Sequence, residues 1–166
     1  MNMVYHHRSI LSQKVILSIN SIGGDTNEII EKMLQDKVEG KCITEGYVKR
    51  QSLHIISISS GQVVDGDRVR FVVLFECDIY LPVEGMLIQC VVKNVTKAGI
   101  RAELETSRTE DIQSPFVIFI ARDNNTSNDN VIEGQSIEIR VLGQRFELND
   151  SYISIIGELV PHSFGK

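Results

Sequence analysis

The chain has 166 residues, a net charge of −5 and a hydrophobic share of 42%. That share excludes a wholly disordered chain, and a count of three prolines excludes a flexible linker. The acidic balance excludes a strongly basic, sequence-independent polyanion binder. A split at Val83 leaves 9 basic against 10 acidic residues before it and 8 against 12 after it, so any nucleic-acid contact must be local and weak.

With no Trp and only 6% aromatics, the core must be built mainly from Ile, Val and Leu, which favours strands. Cys42, Cys77 and Cys90 are odd in number, widely spaced and set in apolar runs. They read as buried core thiols in an intracellular, reducing compartment, nucleus or cytoplasm. No apolar run is long enough for a membrane span, and the N-terminus lacks the apolar stretch of a secretion signal. The three Asn-x-Ser/Thr matches, at Asn94, Asn124 and Asn125, are therefore read as accidental.

In chain order, residues 9–19 are rich in strand formers, and a turn follows at residues 21–25. From Asn27 the apolar positions Ile29, Ile30, Met33, Leu34 and Val38 recur at helical spacing. Asp25 is the expected N-cap, with Glu28 reaching back as in a capping box, and Gly40 is the stop. Residues 41–48 and 52–58 read as strands, 61–67 as an irregular turn with Gly66 at its tight position, and 68–81 as a long central strand that Pro82 ends. The first domain, residues 1–82, is thus expected to be α+β: an antiparallel sheet of four strands crossed by one helix.

Residues 83–166 read as a second, all-β domain. Strands are expected at 86–96, 100–104, 115–120, 134–142 and 152–157, with a tight turn at Lys97, Ala98 and Gly99. Five short strands with polar loops suggest a five-stranded Greek-key barrel, the OB-fold.

Several chemical readings fail on spacing. Residues 123–130 are rich in Asp and Asn, but the sixth position of a calcium loop counted from Asp123 is Asn128 and the twelfth is Gly134, so the turn glycine and bidentate carboxylate are missing. His6, His7, His54 and His162 show no metal-ligand spacing, and no serine sits in a nucleophile context. No catalytic residue, metal or cofactor is expected, and the chain is read as a non-enzyme.

Three segments carry a resemblance to a known family. They are residues 38–42 with Gly46, Tyr47 and Val48; residues 69–85; and the barrel, residues 90–104 with Gly134, Gln135 and the closing strand. In these the chain resembles the stalk subunit of DNA-dependent RNA polymerases, subunit seven in eukaryotes and the E subunit in archaea. Its barrel is similar to the RNA-binding domain repeated in the first small-subunit ribosomal protein of bacteria. The resemblance covers nearly the whole chain in element order, though no single motif has the specificity of a metal-ligand signature.

The resemblance implies a first domain whose tip docks on the core polymerase subunits, and a second stalk subunit, subunit-four-like, lying along the joint. It also implies a barrel that meets nascent single-stranded RNA weakly, with no membrane partner. By position the docking tip comprises Ile22, Gly23, Gly24, Gly61, Gln62, Val63, Val64, Asp65, Gly66 and Asp67. The family's proline- and glycine-rich tip is replaced here by residues 62–67. The positions flanking the turn glycine, where such barrels often carry base-stacking aromatics, are Ala98 and Arg101. That divergence, with the Ile- and Asn-rich composition, would suit a polymerase encoded by a large DNA virus, and hence a virion or virus factory.

Six basic residues of the barrel domain, Lys93, Lys97, Arg101, Arg122, Arg140 and Arg145, are candidate RNA contacts, and an ordinary solvated surface is the competing reading. Phe119 and Phe146, among apolar neighbours, are expected in the core more than as stacking platforms. Tyr80 and Pro82 are expected at an interdomain or partner contact. A free RNA-binding factor of translation or RNA decay is the alternative to a polymerase subunit; it calls for a basic, aromatic barrel face.

Overall fold

The computed structural model describes residues 5–105, 113–121 and 131–160. Among them the chain is mostly β, with one α-helix, a six-stranded sheet and a closed barrel of five strands.

Strand β1 (His6–Ser18) runs through a 3-10 turn, Ile19–Ser21, toward helix α1 (Thr26–Val38). The expected capping box does not form, because Asp25 makes no side-chain cap bond. Its place is taken by the next residue: Thr26 Oγ1 accepts from Gly23 N at 2.9 Å and donates to Gly23 O at 2.6 Å. Ile30, Leu34 and Val38 are buried, while Met33, at the flank of the apolar stripe, stays 41% exposed. The helix stops where the pattern places the stop, with Gly40 at φ +72°.

Residues 41–48 form a hairpin of two short strands, β2 (Cys42–Ile43) and β3 (Gly46–Val48), instead of one. Then come β4 (His54–Ile58), β5 (Gln62–Asp65) and the long β6 (Arg68–Tyr80). The expected irregular turn at 61–67 is therefore mostly strand. Val63 lies opposite Val69 in a ladder with β6, and Arg70 donates to Gln62 Oε1 at 2.8 Å across the pair. Six strands, two more than the sequence pattern suggests, make up this sheet.

β6 organises it. One edge pairs with β1 from His6 opposite Tyr80 to Ser18 opposite Arg68, and the other edge takes β3, β4 and β5 in turn. Its odd-numbered residues, from Val69 through Phe75 to Ile79, are buried and share one core with the helix. The period of two puts every second side chain on the helix-facing side.

The barrel follows: β7 (Leu87–Val95), β8 (Gly99–Leu104), β9 (Phe116–Ala121), β10 (Ser136–Arg145) and β11 (Ile153–Leu159). The ring runs β7-β8-β9-β11-β10 and closes on β7, with β9 and β11 parallel and the other pairs antiparallel. A bulge between Val141 and Gly143 lies where β10 passes from pairing with β7 to pairing with β11 alone. Inward positions such as Ile88, Ile118 and Ile139 fill the interior, so the barrel is packed.

The sheet and the barrel meet at the end of β6. Tyr80 is 9% exposed, and its ring stands edge-on to Phe116 of the barrel at 5.5 Å between centroids. Main-chain bonds close the junction on one side: Cys42 N donates to Asp150 O and Asn149 N to Cys42 O, each at 2.8 Å. Tyr5 Oη accepts from Gln89 N at 2.8 Å. Tyr80 therefore makes its contact within the chain, beside a buried Pro82.

All three cysteines are free and buried. Burial pushes the thiols of Cys42 and Cys90 up to about 12 and that of Cys77 to about 11. They should be silent toward a thiol reagent at about pH 8 and all react once denaturant is added, a result read by absorbance. The unfolded chain ionises these thiols near 9.0 and the folded one does not, so their contribution should be complete below that pH and be lost as pH rises toward the folded values. Phe116→Ala, at a fully buried site, should cost about 3–5 kcal/mol in urea unfolding.

Candidate nucleic-acid interface

The β7–β8 hairpin gathers three of the six basic candidates. Lys93 is exposed beside the irregularity between Val92 and Asn94, Lys97 is exposed in the turn, and Arg101 is exposed on β8. Among the described residues none of the three has an ion-pair partner. The other two described candidates differ. Arg140 is held by Glu158 at 3.1 Å and Arg145 by Glu147 at 3.5 Å, so both cationic heads are partly neutralised. Arg122 lies outside the described residues.

Arg101 sits between Asn94 on β7 and Phe119 on β9, and Phe119 in turn faces Ile156 on β11. Phe119 is not a core residue: it is 42% exposed on the outer face, whereas Phe146 packs partly buried against the core. The period of two explains the difference. Phe116, Ile118 and Ile120 point inward, which forces Phe119 outward. Counting that alternation was the available signal in the sequence.

Gly99 completes the arrangement. A Cβ there would overlap the Ile120 carbonyl oxygen and press on the rim of the Phe119 ring at 3.0 Å. The ring thus leans over bare glycine backbone, which covers the gap left by the missing side chain. The row Arg101, Phe119, Ile156 offers a guanidinium beside a half-exposed ring, suited to stacking a planar base and meeting a phosphate.

The second candidate region lies at the other end of β6. All ten residues of the expected docking tip are exposed, including Val63 at 62%, Ile22 at 39% and Val64 at 38%. The register that sets Ser18 opposite Arg68 brings the two tip segments together, and Ile19 N donates to Asp67 O at 2.6 Å. An open groove of about 510 Å³ runs beside them, lined by Ile22, Thr26, Ile56, Ser59, Gly61 and Phe71. Apolar side chains and hydroxyls share its lining, a surface fitted to protein more than to phosphate. Over the thirteen residues of β6, tip and barrel are separated by about 40 Å at ~3.3 Å per step.

Among the described residues no group of His, Cys, Asp and Glu could hold a metal ion, and no helix is long and apolar enough to cross a membrane. No protein-family model matches the chain, and no curated protein matches it.

The barrel face makes a quantitative demand. Phe119→Ala should weaken binding of a short single-stranded RNA by about 1–3 kcal/mol in fluorescence anisotropy. Arg101→Ala should flatten the slope of log affinity against log salt by ~0.7. A wild-type slope near zero would show that this face does not meet phosphate.

Proposed function

We propose that the chain is a non-catalytic stalk subunit of a multisubunit DNA-dependent RNA polymerase. In this reading residues 1–82 form an α+β docking domain and residues 83–166 an OB-fold barrel. The tip around Ile22, Val63 and Val64 docks on the core subunits, and the β7–β8–β9 face touches emerging RNA. The observation that carries the reading is the separation of the two surfaces. An exposed apolar tip with its groove lies at one end of β6, and a barrel with an arginine–aromatic row lies at the other.

The barrel's ring order, with its single parallel pair closing the last strand onto the third, supports the OB assignment. The face formed by its second and third strands, β8 and β9, is the one OB-folds use for oligonucleotides. Acidic composition fits a tethered role, because docking supplies a high local concentration and weak RNA contact is then enough.

A free RNA-binding factor is favoured by one observation, the exposed Phe119 beside Arg101. It leaves the apolar tip without a purpose.

Affinity purification of the tagged chain from its native source separates the two. The stalk reading expects the large polymerase subunits to co-purify with the wild type. Val63→Asp with Val64→Asp, both at exposed positions, should reduce their recovery at least about tenfold while leaving the fold intact. Recovery of RNA or ribosomes alone would contradict it.

A further inference from the structure

β1 stands at an edge of the sheet, and among the described residues no strand pairs with its outer side. The direction of its main-chain groups follows from the ladder. Ile19 N donates to Asp67 O in continuation of the β1–β6 register, so odd-numbered residues of β1 bond to β6. The far side of β6 agrees: Lys49 N donates to Asp78 O and Ser59 N to Val72 O, so even-numbered residues there face away from β1. The amides and carbonyls of Arg8, Ile10, Ser12, Lys14 and Ile16 therefore point outward from an open edge. None of them has a main-chain partner among the described residues. An edge of this length is a template for another strand.

The sequence of the edge says which strand fits. From residue 10 to 16 it reads Ile, Leu, Ser, Gln, Lys, Val, Ile: two apolar, three polar, two apolar, the same in both directions. An antiparallel copy centred on Gln13 puts Ile10 opposite Ile16, Leu11 opposite Val15 and Ser12 opposite Lys14. In that register even residues face even residues, which are the ones with free main-chain groups. Ile10 and Ile16, exposed at 63% and 44% in the single chain, would cover each other twice. On the same face Val72 and Leu74 of β6 continue the apolar strip, at 43% and 37% exposed.

We propose that a second copy of this chain pairs with β1 through this edge, about a twofold axis at Gln13, joining two sheets into one. The inference stands independently of the polymerase reading. Lys14 of each copy lies diagonally across the axis, so the pairing should tighten as salt screens the two charges.

Substitution of Gln13 tests the register directly. The axis sets Gln13 opposite its counterpart at a non-hydrogen-bonded site, where Cα atoms approach to about 4.5 Å, within disulfide reach. Gln13→Cys should form a covalent dimer under mild oxidation, and Lys97→Cys on the barrel turn should not; the buried native thiols give no background. In sedimentation equilibrium the wild-type mass should climb with concentration toward twice 18.7 kDa. Lys14→Pro removes only an unbonded edge amide and should leave a folded monomer. Ile10→Glu should weaken the dimer about tenfold, and adding Ile16→Lys should restore it. A wild type that stays monomeric up to its solubility limit overturns the proposal. So does a dimer that Lys14→Pro leaves intact, or a Gln13→Cys chain that cross-links only to a different protein.

Discussion

The pairing of β6 along both of its edges is the constraint on which the structure depends. One strand carries β1 on one side and β3, β4 and β5 on the other, so its inner face can serve as the floor of the helix-bearing core. The same strand ends in Tyr80, whose ring belongs to the barrel core and rests on Phe116. A single covalent segment is thus built into two hydrophobic interiors. Register does the rest: fixing His6 opposite Tyr80 at one end fixes Ser18 opposite Arg68 at the other, and with it the shape of the tip.

Much of this was legible in the sequence because it rests on periodicity. The helix face of Ile30, Leu34 and Val38, its stop at Gly40, and the five barrel strands follow from spacing and turn chemistry. What escaped was decided by competition between near neighbours or by tertiary pairing. Thr26 displaced Asp25 as the group that ties the helix entry, because its hydroxyl both donates and accepts. Residues 62–65 look like a turn until β6 offers them a ladder. Phe119 looks like core until the alternation of β9 is counted from Phe116. Of the candidate cations, the sequence could not distinguish Lys93, Lys97 and Arg101 from Arg140 and Arg145. The difference lies in Glu158, which the β10–β11 pairing brings to Arg140, and in Glu147, two residues beyond Arg145, whose ion pair with it the sequence pattern alone does not single out.

The charge distribution gives the functional reading its physical sense. In the proposed reading, an acidic chain with a few unneutralised cations on one hairpin would hold RNA only weakly on its own, since affinity for a polyanion grows with the number of phosphates met. Attachment through a distant apolar tip, as proposed, would remove the need for tight binding. That logic requires the path from tip to barrel to be stiff, because a loose joint would spread the barrel over a larger volume and dilute the effect. The junction of Tyr80, Phe116 and the Cys42–Asp150 and Asn149–Cys42 bonds provides the stiffness.

Spin labels placed by Val63→Cys on the tip and Lys97→Cys on the barrel turn measure that stiffness, because the native thiols are buried and stay unlabelled. The structure calls for one narrow distance distribution in the wild-type background and a broadened one when Tyr80→Ala is added. A distribution already broad with Tyr80 in place would contradict the account of a single stiff arm.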